Sequence, residues 1–212
     1  VSKLGKRAKI LVMRKNTGKI VLTGGPCAGK TTLTQVIAKT FPGEVFVVPE
    51  AASLLFSGGF PRFPEQEAGR AVQRAIYHVQ LELEAAFRAK YADKVLVLDR
   101  GTVDGAAYWN AGAEDYFRSL GSSLEAELQR YDKVIYLESA DRDTYIRNKS
   151  GNPNRTESWE EAQRLDEQTR KLWECHPNFN LVRNQKSFSQ KLLDSLDAIA
   201  LGLGSQPGIE TK

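Results

Sequence analysis

Short apolar runs alternate along the chain with longer stretches in which apolar residues recur at helical spacing, a pattern that predicts strands separated by helices. The first run is Ile20, Val21 and Leu22, and residues 32–40 read as the opening turns of a helix. Phe41, Pro42 and Gly43 then make a turn, and the β-branched run 45–48, closed by Pro49 and Glu50, predicts a second strand. Residues 57–64 carry Gly58, Gly59, Pro61 and Pro64 and predict an irregular loop. Across 65–91, Ala68, Val72, Ala75, Ile76, Val79, Leu83, Ala86 and Phe87 recur at helical spacing, so a long helix is expected to cover one face of a sheet.

The run 95–98 is apolar throughout and ends in Asp99, as in a strand buried on both faces. Residues 102–109 and 122–131 look helical, with a polar stretch around Ala113, Glu114 and Asp115 between them. Residues 134–137 predict a fourth strand, 141–148 a short basic helix, 148–155 a polar loop, 157–174 a charged helix and 179–182 a fifth strand. Phe188, Leu192, Leu196, Ile199 and Leu203 predict a closing helix. Strands alternating with helices imply parallel pairing and right-handed crossovers, hence an α/β three-layer sandwich around a five-stranded parallel sheet. One domain over 19–203 is expected, preceded by a basic leader, 1–18, in which residues 10–13 could add an edge strand, and followed by a flexible tail, 204–212. In such a sheet ligands bind beyond the strand C-termini, where Gly24, Glu50, Asp99 and Glu138 all fall.

A length of 212 residues suits one α/β domain, and 41% hydrophobic with 26% charged residues is ordinary for a globular protein. No run has the apolar length of a bilayer span, and the start of the chain lacks the apolar core of a signal peptide, so a cytoplasmic location is expected. The net charge of +4 is modest. Lys3, Lys6, Arg7, Lys9, Arg14, Lys15 and Lys19 concentrate positive charge at the front, where weak contact with anionic lipid is conceivable; no DNA partner is expected. Cys27, Cys175, His78 and His176 form no metal-ligand spacing.

The chemistry centres on GGPCAGKT, residues Gly24, Gly25, Pro26, Cys27, Ala28, Gly29, Lys30 and Thr31, followed by Thr32. Between a predicted strand and a predicted helix, this spacing fits a loop whose N–H groups cradle phosphate. The helix after Gly29 would aim its positive end at the same anion. Lys30 would reach the β and γ phosphates of ATP or GTP, and the Thr31 hydroxyl would hold Mg²⁺. Asp99, past a buried strand, fits a second, acidic site for Mg²⁺. Arg100 offers a planar fork that matches phosphate oxygens, and Glu50 could accept a proton from an attacking hydroxyl. Arg142, Arg147 and Arg155, with Lys149, flank the polar loop and could close over a nucleotide. Phe60, Phe63, Tyr108 and Trp109 could sandwich a flat acceptor.

TGGPCAGKTT, VVPEAA, LDRGTVDGAAYW and ESWEEAQRLDEQTRKLWECHP together resemble the AAA domain family typified by NadR-like proteins, over about residues 19–200. The resemblance implies a compact kinase-type P-loop fold in which the strand ending at Asp99 neighbours the strand ending at Thr23. It also implies nucleotide binding at Gly24 to Thr32. A broader similarity to nucleoside and nucleotide kinases implies Glu50 as base, Asp99 with Arg100 as an acidic-arginine pair, and Arg142, Arg147 and Arg155 as lid arginines. One branch of the family is associated with GTP and phosphatidic acid. Three readings follow: a Mg²⁺-dependent phosphotransferase acting on a small hydroxyl-bearing metabolite such as a nucleoside, a nucleotide-binding regulatory protein with phospholipid association, and a simple NTPase.

Overall fold

The computed structural model describes residues 17–149, 158–185 and 187–202. Five strands, β1 (Lys19–Gly24), β2 (Val45–Val48), β3 (Val95–Asp99), β4 (Lys133–Leu137) and β5 (Phe179–Val182), form one sheet. Every pairing is parallel and the order is β2-β3-β1-β4-β5, so β3 lies beside β1 as the resemblance implies. The runs are continuous because neighbouring residues bury on opposite faces: Ile20, Leu22, Val95, Val97, Ile135 and Leu137 on one, Val21, Leu96, Leu98, Val134 and Tyr136 on the other. Helices α1 (Lys30–Thr40) and α8 (Phe188–Gly202) cover the first face through Leu33, Ile37, Leu196 and Ile199. The second face is covered by α3 (Gln66–Lys90), α4 (Ala113–Ser119) and α7 (Trp159–Trp173), with Tyr77, Tyr116, Phe117 and Trp173 at its centre. This is the expected α/β class, a three-layer sandwich with a five-stranded parallel sheet.

Four local expectations change. A short helix, α2 (Ala51–Ser57), fills the stretch before the breaker-rich loop and packs on α3. The polar stretch at Ala113 begins helix α4 because Tyr116 and Phe117, behind polar residues, are buried. The helix expected over 102–109 tightens to a 3₁₀ turn, Asp104–Tyr108, while the one over 122–131 shortens to α5 (Leu124–Leu128), capped by the Ser123 hydroxyl. On α3 the buried positions are Val72, Tyr77, Gln80 and Glu84, whereas Ala86 of the expected stripe is exposed. Burial of Glu84 is affordable because Lys19, Arg130, Tyr131 and Gln80 all donate to it. Helix α6 (Arg142–Lys149) follows β4. Most of the basic leader, the loop containing Arg155 and the tail from residue 203 lie outside the described residues.

Candidate phosphate-loop site

β1 ends at Gly24 against β4, where a Cβ would stand 2.2 Å from the Leu137 carbonyl oxygen, so the chain can enter the loop only through glycine. Gly29 leaves the loop with φ 95° and sits at the N-cap of α1, where no side chain caps the helix. The first N–H groups of α1 have no intrahelical partner and face the end of the helix, the arrangement that holds anions. Cys27, with φ 60°, is a non-glycine residue in the left-handed region, strain of the kind held at binding loops. Lys30 Nζ lies 2.8 Å from Gly24 O and 2.9 Å from Gly25 O. Burial, and then the like charge of Arg100, push the Lys30 ammonium down to about 8 against the pull of Asp99, Glu50 and Asp104.

Arg100, which lines the same cavity as the loop, occupies a left-handed conformation, φ 71°. Nε donates to Glu50 Oε1 at 2.7 Å and NH1 to Asp104 Oδ1 at 2.8 Å. Burial by itself would lower Arg100, but Tyr108, Glu50, Asp104 and Asp99 outweigh it and keep the guanidinium charged. Burial alone would raise Glu50, yet Arg100, the Ser53 hydroxyl and Lys30 hold it below the usual carboxylate value, so it is ionised at neutral pH. Asp104, absent from the sequence reading, is 4% exposed and accepts from Thr23 Oγ1, Gly101 N, Trp173 Nε1 and Arg100. It locks the strained turn after β3.

Asp99 differs from its neighbours. Its Oδ1 is buried without a hydrogen-bonding partner, and burial raises the carboxyl to about 6 despite Lys30. An orphaned carboxylate oxygen beside a phosphate loop fits a hard cation held jointly with substrate phosphates. Among the described residues no group of three His, Cys, Asp or Glu could hold a metal ion.

These groups share one cavity of about 920 Å³, within the size range of small-molecule sites. Pro26 to Thr32 line it together with Glu50, Asp99 and Arg100. Phe56, Gln73, Tyr77, Gln80, Tyr108 and Tyr116 line it as well. Of the aromatic residues expected to hold an acceptor, only Tyr108 faces this space. Trp109 is buried and donates to Asp115, Phe63 is 62% exposed, and Phe60 lines a separate shallow groove. Arg142 and Arg147 are exposed on α6, where Arg147 reaches Thr144, and neither lines the cavity, although Asp141 and Thr144 of the same segment do. Arg155 lies outside the described residues. Glu138 turns to Asn184 N and thus serves the turn after β5. Two further residues reach the phosphate loop from distant helices: Asp166 on α7 accepts from Gly25 N, and Lys191 on α8 donates to Ala28 O. Asp166 lies within the stretch ESWEEAQRLDEQTRKLWECHP that carries the resemblance, although nothing there marks it as a phosphate-loop partner, and Lys191 has no motif around it.

The family model described as an AAA domain matches residues 19–191. No curated protein matches the chain. Among solved structures, the chain is similar to deoxyadenosine kinase from M. mycoides, determined with bound dATP, at 15% identity and a TM-score of 0.60. The match covers 86% of this chain and 98% of that one, so the two share a fold. Among the described residues no helix is long and apolar enough to cross a membrane.

Proposed function

This chain belongs to the AAA domain family, and from that premise we propose that it is a Mg²⁺-dependent phosphotransferase that moves the terminal phosphoryl group of ATP or GTP to a hydroxyl of a small metabolite such as a nucleoside. One observation carries the reading: a phosphate loop, amide and aromatic side chains, and the ion pair of Glu50 with Arg100 all line a single cavity. The kinase that shares the fold, with its bound dATP, supports it.

In the reaction, the triphosphate lies against the loop N–H groups and draws Lys30 off the Gly24 and Gly25 carbonyls. Thr31 and Asp99 would hold the Mg²⁺, which would supply positive charge to offset the negative charge of the phosphates. Glu50, oriented by Arg100, accepts the proton of the acceptor hydroxyl as that oxygen bonds to the terminal phosphorus and the bond to the bridging oxygen breaks. Gln73, Gln80 and Tyr108 can hydrogen-bond a polar ring, and the ring of Phe56 can stack on it. Arg100 is already engaged by the carboxylates of Glu50 and Asp104, which holds it beside the proposed base.

Incubation with ATP or GTP, Mg²⁺ and a mixture of nucleosides and other small alcohols, followed by mass spectrometry, tests the proposal. A product heavier by one phosphoryl group supports it. Phosphate released to water alone, or no turnover, overturns it.

A second test uses Asp99→Asn. In metal-free protein the raised carboxyl means that the folded state holds more protons than the unfolded state between about pH 4 and 6, so its contribution to stability is lost as pH rises through that window. The amide removes this penalty. We expect Asp99→Asn to melt at or above the wild-type temperature at pH 8 without metal, while losing most of the Mg²⁺ dependence of nucleotide binding. A lowered melting temperature with unchanged metal dependence would make Asp99 a structural residue.

A further inference from the structure

Lys191 is 5% exposed, and its ammonium makes hydrogen bonds to three oxygens from three segments. Nζ donates to Ala28 O of the phosphate loop at 3.0 Å, to Glu138 O past β4 at 2.5 Å, and to Asn184 Oδ1 past β5 at 2.9 Å. An ammonium has three hydrogens, and all three are used. Although Lys191 lines the cavity, it therefore has no donor left for a phosphate oxygen, and whatever it does for a nucleotide it does through the loop.

The bond to Ala28 O has a directional consequence. No cis peptide occurs among the described residues, so the Ala28 carbonyl and the Gly29 N–H, which share a planar trans unit, point in opposite directions. With the carbonyl held by Lys191, the direction of the opposed Gly29 N–H at the N-cap of α1 is fixed as well. Asp166 acts likewise on the preceding glycines. It accepts from Gly25 N at 2.8 Å, and the opposed Gly24 carbonyl faces Lys30 Nζ at 2.8 Å. Glycine-rich loops have many accessible backbone states, so fixing a peptide plane from behind removes entropy that a ligand would otherwise have to remove.

We propose that Lys191 is a positioning residue for nucleotide binding: it fixes the Ala28–Gly29 peptide plane of the phosphate loop and ties that loop to the turn carrying Asn184. The proposal rests on the phosphate-binding reading above. Burial lowers the ammonium to about 8, against Glu138 and Asp166, which leaves it charged at neutral pH. A neutral apolar side chain would lose all three bonds and release both the loop and the turn.

The test compares wild type, Lys191→Met and Asn184→Ala by calorimetry with inorganic tripolyphosphate and with Mg-ATP, and by the amide resonance of Gly29 in nucleotide-free protein. We expect Lys191→Met to bind both ligands about tenfold more weakly or worse, as when a supporting residue behind a binding group is removed, and to shift or broaden the Gly29 resonance. Asn184→Ala, which removes one of the three anchors of Lys191 together with the Asn184 Nδ2 bond to Ser139 O, should move both readouts the same way by less. A purely structural lysine would lower the melting temperature while leaving the Gly29 resonance and the affinities of the folded protein unchanged, and that result overturns the proposal. If Lys191→Met fails to fold, Asn184→Ala decides by the same two readouts. If wild type binds neither ligand, the phosphate-binding reading fails instead, and the Gly29 resonance still reports whether Lys191 holds the peptide plane.

Discussion

Glutamine in place of Glu50 should slow phosphoryl transfer by about 10² to 10⁴, the usual share of a general base, while leaving nucleotide affinity within a few-fold. The amide cannot take the acceptor proton, but its oxygen can still accept from Arg100 Nε, now 2.7 Å from Glu50 Oε1, so the orientation of the pair survives. The hydrogen bonds of Glu50 run to Arg100 and Ser53 rather than to the phosphate loop. The residual rate reflects positioning and the charge of Lys30 and Arg100, which the substitution leaves in place. The carboxylate suits the role because it is ionised and already aimed: burial would neutralise it, and Arg100, Ser53 and Lys30 together prevent that. Single-turnover rates with the acceptor found by mass spectrometry are the measurement. A rate within about threefold of wild type, far short of the catalytic share, rejects Glu50 as the base.

Lys30→Ala should reduce triphosphate affinity by about 10²-fold, the size of a charge-assisted hydrogen bond of ~3 kcal/mol. The fold should tolerate it. In the folded protein Lys30 titrates near 8 against an ordinary 10.5, so the unfolded chain binds more protons between those values and stability rises with pH across that window. At pH 7 the buried charge is thus a liability that alanine removes, offset by the loss of the bonds to Gly24 O and Gly25 O. We expect a melting temperature close to wild type at pH 7, and a smaller gain in stability above pH 8 than wild type shows. Calorimetry with ATP and GTP checks the affinity, and equal values for the two proteins would exclude Lys30 from phosphate binding.

The central strands were legible because a strand buried on both faces is a continuous run of buried positions, and such a run needs no knowledge of its neighbours; the edge strand β5, which carries Asn180 and buries only Val182, was legible mainly from its place in the alternation of strands and helices. The phosphate loop was legible for a similar reason: strand end, glycines, Lys30 and Thr31 are contiguous, and their chemistry follows from local backbone geometry. Glu50 and Asp99 could be placed at the sheet edge because each directly follows a strand. Helix periodicity was less informative. On α3 the apolar spacing named Ala86, which is exposed, and missed Gln80 and Glu84, whose burial depends on Lys19, Arg130 and Tyr131 arriving from elsewhere.

Composition and order along the chain thus determined the fold class, the phosphate loop and the carboxylates at the strand ends, since each is set by residues adjacent in sequence. Only the tertiary structure decided which charges face one another. Arg100 meets Glu50 across 50 residues, Asp166 reaches Gly25 across 141, and Lys191 reaches Ala28 across 163. A hydrogen bond depends on distance and direction in space, and neither is written in the spacing of residues that the chain brings together only when the sheet and its covering helices close.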